Sequence, residues 1–129
     1  MKLSRISFLF LLLFLLVPSI ASAQSAAEKS WKPFWTQFTA AVKSKSKVAV
    51  KRLMIAESEF SDGGGGGTRD QWLKMLDKDK LWGEIQKTVA GGTKAYNSGE
   101  KRPWRVTTDD SLLFVFKNGR WNFYGVMGD

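Results

Sequence analysis

Apolar residues recur at helical spacing in the first part of the chain. They lie three or four residues apart, which places them on one face of an α-helix. The residues with this spacing are Trp31, Phe34, Trp35, Phe38, Ala41 and Val42. Ser30 is a residue type favoured at an N-cap, and Pro33 would then fall in the first turn, where its missing N–H does no harm. The pattern predicts an amphipathic helix that begins near Ser25 or Ser30 and ends at Ser44.

A second, shorter helix is predicted directly after the first. Ser46 can cap it, and its apolar residues Val50, Leu53 and Met54 share one face. An extended stretch from Ile55 to Phe60 is predicted to follow.

A run of glycines from Gly63 to Gly67 marks an exposed loop, because glycine has too much backbone freedom to hold regular structure. Thr68 and Gln71 have the spacing of a capping box, in which the Thr hydroxyl bonds the N3 amide and the Gln side chain reaches back. The pattern predicts a helix that is interrupted at Lys78 to Lys80 and ends at Gly91. Its apolar stripe consists of Trp72, Leu73, Leu76, Leu81, Trp82, Ile85 and Val89.

Beyond Gly92 the apolar period changes from about 3.6 to about 2, which is typical of β-strands. The predicted strands are Lys101 to Thr107, Ser111 to Lys117 and Arg120 to Met127. Asn118-Gly119 favours a two-residue turn between the last two strands, and such a turn fixes their register. One side of the ribbon is predicted to be aromatic, with the pairs Phe116–Trp121 and Phe114–Phe123. The other side is predicted to be mixed, with the pairs Lys117–Arg120, Val115–Asn122 and Leu113–Tyr124.

The connection before this hairpin determines which side of the sheet receives Trp104. A two-residue loop at Asp109-Asp110 would place Trp104 on the mixed side, whereas a three-residue loop from Thr108 to Asp110 places it on the aromatic side. We prefer the three-residue loop. It predicts two rows of neighbouring side chains across the three strands: Trp104, Phe114 and Phe123 in one, and Val106, Leu112 and Gly125 in the other. The missing side chain at Gly125 leaves room for a bend or a pocket. Helices first and an antiparallel sheet last predict an α+β fold with the helices on one face of the sheet.

The first residues of the chain have the pattern of a cleavable secretory signal peptide. Lys2 and Arg5 precede an uncharged run from Ile6 to Val17, and Ala21-Ser22-Ala23 is a small-x-small cleavage pattern. About twelve apolar residues at a rise of 1.5 Å reach roughly 18 Å, which is short of a hydrocarbon core of about 30 Å. We therefore expect a signal peptide over residues 1–23, no stable membrane anchor after cleavage, and a single exported domain over residues 24–129, either periplasmic or secreted.

The chain is basic, with a formal net charge of +8 at pH 7. An exported basic protein meets anionic lipid headgroups and envelope polymers first, so we expect no nucleic-acid partner. The charge is concentrated in Lys43, Lys45, Lys47, Lys51 and Arg52. This cluster is interpreted either as a solvated helix end and turn or as an anion-binding patch.

Several kinds of chemistry are excluded by composition, because the chain contains no histidine and no cysteine. A Ser-His-Asp triad, a cysteine nucleophile, a histidine-ligated zinc and an iron–sulfur site all need one of these residues. The glycine run is not a phosphate-binding loop, since Thr68-Arg69 follows it in place of Gly-Lys-Ser/Thr. We expect no cofactor and no metal.

Carboxylates are the remaining candidates for acid–base catalysis. Glu57 and Glu59 lie two residues apart in the predicted extended stretch and would point the same way, so that one could be held protonated beside the other. A solvated strand face is the alternative reading of this pair. Asp109 and Asp110 are placed in a turn, where aspartate is favoured for backbone reasons.

The long aromatic helix, the short second helix, Thr68-Arg69 before Trp72-Leu73, and the final hairpin from Leu113 to Trp121 resemble the nuclear transport factor 2-like (SnoaL-like, cystatin-like fold) superfamily. The resemblance is to its small exported bacterial members of unknown role. It implies a curved sheet that wraps the helices into a cone-like roll around an apolar pocket. Enzymes of that superfamily commonly place an Asp and a His in this pocket, and this chain has no His.

The leading functional hypothesis is a non-catalytic domain that binds a small apolar molecule or forms a homodimer. The predicted wall residues are Phe60, Trp104, Phe114 and Phe123, with Arg105 or Tyr124 as polar contacts. One alternative is an isomerase or hydrolase that uses Glu57 or Glu59. Another is a binder of an anionic envelope polymer or a glycan, in which Tyr96 and Trp104 are the aromatic residues to consider for stacking on sugars.

Overall fold

The computed structural model describes residues 19–64, 67–78 and 80–128. The helices are α1 (Ser19–Lys43), α2 (Lys47–Arg52), α3 (Arg69–Lys78) and α4 (Trp82–Ala90). The strands are β1 (Thr93–Ala95), β2 (Trp104–Thr107), β3 (Leu112–Lys117) and β4 (Arg120–Val126). The charged and apolar parts of the predicted signal peptide lie outside the described residues, and its predicted cleavage pattern lies in the first turns of α1.

The start predicted for the first helix is wrong. Helix α1 begins at Ser19, and Ser30 lies inside it with its hydroxyl donating to the carbonyl oxygen of Ala26 at 2.6 Å. Pro33 is therefore inside the helix rather than in its first turn. Pro33 is exposed at this position, and it lowers the stability of the helix because it removes one helical hydrogen bond.

The predicted caps of the next two helices are confirmed. The Ser46 hydroxyl accepts a hydrogen bond from the N–H of Ala49 at 3.1 Å, at the start of α2. Before α3, the Thr68 N–H donates to Gln71 Oε1 at 2.9 Å and the Gln71 N–H donates to Thr68 Oγ1 at 3.2 Å. The predicted interruption after α3 is also confirmed, because Lys80 has a φ of 55° and α4 begins two residues later.

The stretch after α2 is not an extended strand as predicted. Residues 57–59 form a turn, and the chain meets β4 only at its two ends, in isolated parallel bridges of Met54 with Phe123 and Ser61 with Gly125. The Ile55 N–H donates to the carbonyl oxygen of Phe123 at 2.9 Å, which anchors the first of these ends.

The four strands form one antiparallel sheet in the order β1-β2-β3-β4. The register predicted from Asn118-Gly119 is confirmed from the turn as far as Phe114 opposite Phe123. Beyond this pair a β-bulge shifts the register, so that Leu113 faces Gly125 and not Tyr124. Strand β1 was not predicted, since three residues, two of them exposed, leave no alternation to detect.

The preferred register between the second and third strands is wrong. Trp104 pairs with Val115, Arg105 with Phe114 and Val106 with Leu113. These are the pairs of the alternative loop, and they place Trp104 on the side of the sheet opposite to Phe114. Arg105 consequently lies on the aromatic side, which we call the inner face.

The helices pack on the inner face, which confirms the predicted α+β fold. Phe38 of α1 lies between two sheet rings, with ring centroids 5.1 Å from Phe114 and 5.2 Å from Phe123. All three side chains are fully buried, and each stabilises the fold by roughly 1.5–3 kcal/mol through removal of apolar surface from water. On the opposite, outer face, Ile55 packs against Trp104 and Val115 in a second, smaller cluster.

Candidate functional site

A cleft of about 550 Å³ opens where the first part of α1 meets the edge of the sheet. Its aromatic residues are Trp31, Tyr96, Trp104 and Trp121, and its charged residues are Glu28, Lys101, Arg102 and Arg105. The cleft therefore combines large apolar side chains with more cations than carboxylates. Its volume lies in the range of about 300–1,000 Å³ that is typical of small-molecule sites.

One wall of the cleft is held by a buried hydrogen bond between α1 and β4. The Trp121 indole N–H donates to the carbonyl oxygen of Ala27 at 2.8 Å. Trp31 lies one helical turn further along α1, and its ring centroid is 4.7 Å from that of Trp121. This contact fixes the distance between the helix and the sheet at the inner end of the cleft.

The opposite wall is the connection between β1 and β2. The chain reverses at Gly99, which has a φ of 75° and whose N–H donates to Asn97 Oδ1 at 3.0 Å. The two arms of the connection are held together where the Tyr96 N–H donates to the carbonyl oxygen of Trp104 at 3.1 Å. Tyr96, Arg102 and Trp104 are thereby positioned at the cleft.

Arg105 is the half-buried cation of the inner face. The centre of its guanidinium lies 4.7 Å from the centroid of the Trp31 ring, and Nε and Nη2 donate to Thr93 Oγ1 at 3.1 and 3.0 Å. Burial lowers the pKa of Arg105 from its ordinary value, because desolvation disfavours the charged form. No carboxylate of the described residues forms an ion pair with it.

Arg102 forms a second arginine–tryptophan pair, on the outer face. The centre of its guanidinium lies 5.3 Å from the centroid of the Trp104 ring. Glu100 Oε2 is 2.9 Å from Arg102 Nε, but it lies off the direction of the N–H, so this ion pair contains no hydrogen bond from Nε.

Two buried side-chain polar atoms have no hydrogen-bond partner within the described part of the chain, Arg102 Nε and Trp104 Nε1. Both are donors, and both belong to residues that line the cleft. Trp104 is only 7% exposed, so its unpaired N–H is a costly feature of about 1–3 kcal/mol. Two residues that line the cleft thus each hold a buried N–H without a hydrogen bond, and one of these, Arg102 Nε, forms the ion pair with Glu100.

The structure brings together only part of the predicted ligand site. Trp104 and Arg105 line the cleft, each on a different face of the sheet. Phe114 and Phe123 are fully buried in the core, and they do not form the wall of this cleft. Phe60 packs against Phe123 and against Trp72 of α3, at ring-centroid distances of 6.0 and 5.9 Å.

Tyr124, predicted as a polar contact, lies beside the outer-face end of the site. Its ring is 5.1 Å from that of Trp104 in an edge-on arrangement. The two residues considered for stacking on sugars, Tyr96 and Trp104, both line the cleft.

Sequence reasoning missed Trp31 and Trp121 as cleft residues. Both were assigned to the core because they lie on apolar stripes, and both do contact the core. A helical stripe cannot show where a core ends and a cleft begins. The detectable sign was Arg105 placed between apolar residues of a strand, since a cation in that position needs a partner.

Glu57 and Glu59 each have a cationic partner of their own. Glu57 pairs with Arg69, whose Nε lies 2.7 Å from Oε2. The hydrogen bond from the Arg69 side chain holds the pKa of Glu57 below its usual value. Glu59 forms an ion pair with Lys117. Because residues 57–59 form a turn, the parallel projection expected of an extended pair does not apply to them.

The basic cluster around α2 is partly neutralised. Lys47 pairs with Asp77 and Lys51 with Asp70, at 2.5 and 2.8 Å. These pairs connect α2 to α3, so two of the cations assigned to an anion-binding patch have a structural role. Asp109 likewise has a structural role in its turn, where it accepts hydrogen bonds from Thr107 and Thr88.

Comparison with family models, with curated proteins and with solved structures found no match to the chain. Within residues 19–64, 67–78 and 80–128, acidic side chains do not gather into a group that could hold a metal ion. Among the same residues, no helix is both long and apolar enough to cross a membrane.

Proposed function

We propose that the domain is a non-catalytic module that binds one small molecule in the cleft between α1 and the β1–β2 connection. The observation that carries the proposal is the convergence of four aromatic side chains, from α1, β2, β4 and the connection, on one open volume of about 550 Å³. Large aromatic rings at a cleft supply apolar contact area, and the few polar groups among them orient a ligand.

The interior between the helices and the sheet is not the preferred location for a ligand. Phe38, Phe114 and Phe123 are fully buried there and contact one another. A ligand in that space would have to displace core side chains, at a cost of several kcal/mol for each cavity opened. The cleft needs no such displacement.

Native mass spectrometry of the protein prepared without denaturation tests the proposal. We expect a non-covalent adduct on the wild-type chain and none on Ala95→Trp, which fills the cleft from an exposed lining position. Ala40→Trp is the matched control, because Ala40 is exposed on α1 and does not line the cleft. Absence of any adduct, or an equal adduct on Ala95→Trp, would contradict the proposal.

Export is proposed together with this function, on the pattern of residues 1–23. N-terminal sequencing of protein recovered outside the cytoplasm is expected to begin at Gln24. Such cleavage leaves Ala27 and Trp31 in the mature chain, so it preserves the helical wall of the cleft. A mature protein that retained Met1 would contradict export through this segment.

We also propose that the fold is a cone-like roll of the nuclear transport factor 2-like kind. Two features support it: the β-bulge between Leu113 and Phe114, which bends a sheet, and the packing of the helices on one face. An experimental structure with a flat sheet would contradict it.

A further inference from the structure

We propose that the ligand of the cleft is a flat apolar molecule that carries a carboxylate, and that Arg105 is the residue that binds this carboxylate. The inference rests on the proposed function and adds the chemical class of the ligand. Three independent properties of the cleft support it: the free side of the Arg105 guanidinium, the charge of the lining side chains, and the shape of the aromatic walls.

The guanidinium of Arg105 has one side occupied and one side free. Thr93 Oγ1 accepts from Nε and Nη2, and thus takes the edge that these two atoms share. The N–H groups of Nη1 have no acceptor among the described residues, and together with the second N–H of Nη2 they form the end-on fork. A carboxylate matches this fork with two parallel, charge-assisted hydrogen bonds, which are roughly twice as strong as hydrogen bonds between neutral groups.

The held position of Arg105 makes it ready to bind without rearrangement. Thr93 fixes one edge of the planar group and the Trp31 ring supports its face at 4.7 Å. Because burial has already removed part of its hydration, an arriving anion gains more from this cation than from a solvated lysine.

The other polar groups of the cleft also favour an anion. Lys101 adds positive charge beside Arg105, Arg102 is paired with Glu100, and Glu28 is the carboxylate among the lining residues. The two buried polar atoms without a hydrogen-bond acceptor among the described residues, Arg102 Nε and Trp104 Nε1, are N–H donors, and Arg102 Nε still forms an ion pair with Glu100. An anionic ligand therefore suits the charge of these walls better than a cationic one.

The remaining walls determine the body of the ligand. The Trp31 and Trp121 rings meet edge-on at 4.7 Å, and Trp104 and Tyr96 lie on the other side of the cleft. Flat apolar surfaces of this kind fit a planar ring system better than a branched or highly hydroxylated one. A bicyclic aromatic acid combines the required charge and shape.

Isothermal titration of the full-length protein with 2-naphthoate and with 2-naphthamide tests the inference, because the two probes have nearly the same shape and differ in charge. We expect naphthoate to bind at least about tenfold more tightly than naphthamide, because only naphthoate can form a bidentate ion pair with Arg105. Arg105→Gln is expected to remove this preference, so that the two probes bind within about twofold of each other. Arg52→Gln is the charge-matched control, since Arg52 is exposed and outside the cleft.

The outcomes separate this inference from the proposed function. Equal binding of both probes would overturn the carboxylate preference while small-molecule binding stands. A preference that persists in Arg105→Gln would overturn the role of Arg105. If neither probe binds, the inference is overturned, and the adduct measurement on Ala95→Trp decides whether the proposed function falls with it.

Two further measurements apply if Arg105→Gln does not fold. Arg105→Lys keeps the charge and loses the fork, so we expect it to retain only part of the preference for naphthoate. In the wild-type chain, nuclear magnetic resonance of the guanidinium N–H groups is expected to show slowed rotation of Arg105 on addition of naphthoate. Unchanged Arg105 signals at saturating naphthoate would overturn the assignment.

Discussion

The hydroxyl of Thr107 accepts a 2.9 Å hydrogen bond from the backbone N–H of Leu112, across the turn that joins β2 to β3. The same oxygen accepts from the N–H of Ser111 at 3.2 Å and donates to Asp109 Oδ1 at 2.8 Å. Thr107 is fully buried, so water does not replace these bonds. One side chain thereby sets the register that places Arg105 on the inner face and Trp104 on the outer face.

Thr107→Val is expected to destabilise the protein by about 1–3 kcal/mol, because it keeps the shape of the side chain and leaves the buried N–H of Leu112 without an acceptor. Urea unfolding measures the change. Thr36→Val is the control, since the Thr36 hydroxyl is exposed and bonds only to the Lys32 carbonyl of its own helix; we expect an effect below about 0.5 kcal/mol. Equal effects of the two substitutions would show that the Thr107 hydroxyl does not hold the turn.

Gly125→Ala is expected to lower the free energy of unfolding by about 1–3 kcal/mol, as is usual for overpacking. A Cβ at position 125 would collide with the backbone carbonyl of Ser61, which is bridged to β4 at this point. Gly83→Ala is the contrasting variant, because a Cβ at position 83 meets open space on α4, and it is expected to raise stability by up to about 1 kcal/mol. Thermal unfolding of both variants is the measurement; a neutral Gly125→Ala would contradict the close approach of Ser61.

Pro33→Ala distinguishes the observed start of α1 at Ser19 from a start at Ser30, one of the two starts that the sequence predicts. Proline inside a helix costs about 3 kcal/mol, so its removal should stabilise a helix that begins at Ser19 by up to this amount. In a helix that begins at Ser30, Pro33 would lie in the first turn and its removal would be close to neutral. Chemical denaturation decides between the two, with Lys32→Ala as the neighbouring exposed control.

Asp77 is expected to contribute to loss of stability in acid. Hydrogen bonds from Lys47 and from the Trp82 indole hold the pKa of Asp77 below its ordinary value of 3.8. A carboxyl group whose pKa is lowered by folding stabilises the folded state above its unfolded pKa, and this contribution is lost as the pH falls through the folded pKa.

The measurement is urea unfolding of the wild type and of Asp77→Asn from about pH 5 to about pH 2. We expect the wild type to be the more stable protein at the upper end and the difference to disappear at the lower end. Lys47→Gln should reproduce this behaviour, since it removes the cation of the same pair. A difference that is constant across the range would exclude Asp77 as a source of the acid dependence.

Features that depend on neighbours in sequence could be predicted. The turn at Asn118-Gly119 fixes the hairpin register through two residues, and the capping box uses hydrogen bonds between Thr68 and Gln71 alone. In both cases the residues that determine the geometry are close neighbours in sequence, and the structure shows the predicted turn and cap.

Features that depend on a distant partner could not be predicted. The cleft forms where α1 packs on the sheet and Trp31 meets both Trp121 and Arg105, and no spacing in the sequence reports these contacts. Gly125, beside the bulge, similarly lies against Ser61, which comes from a separate segment and leaves no space for a Cβ. The pocket walled by Phe114 and Phe123 was expected from the resemblance. In the structure these two rings are in contact with each other inside the core.

The bridges of Met54 and Ser61 to β4 have a consequence for solubility. A long strand with free N–H and carbonyl groups is a template on which another chain can add, and β4 is the longest strand of the sheet. The two ends of the 54–61 segment pair with β4 at Phe123 and Gly125, along the edge that β4 does not share with β3. The strand at the other edge of the sheet, β1, spans only Thr93–Ala95. A neighbouring molecule would thus find only short lengths of free strand edge, and Lys94 adds charge on β1. Intermolecular strand addition is therefore disfavoured at both edges of the sheet.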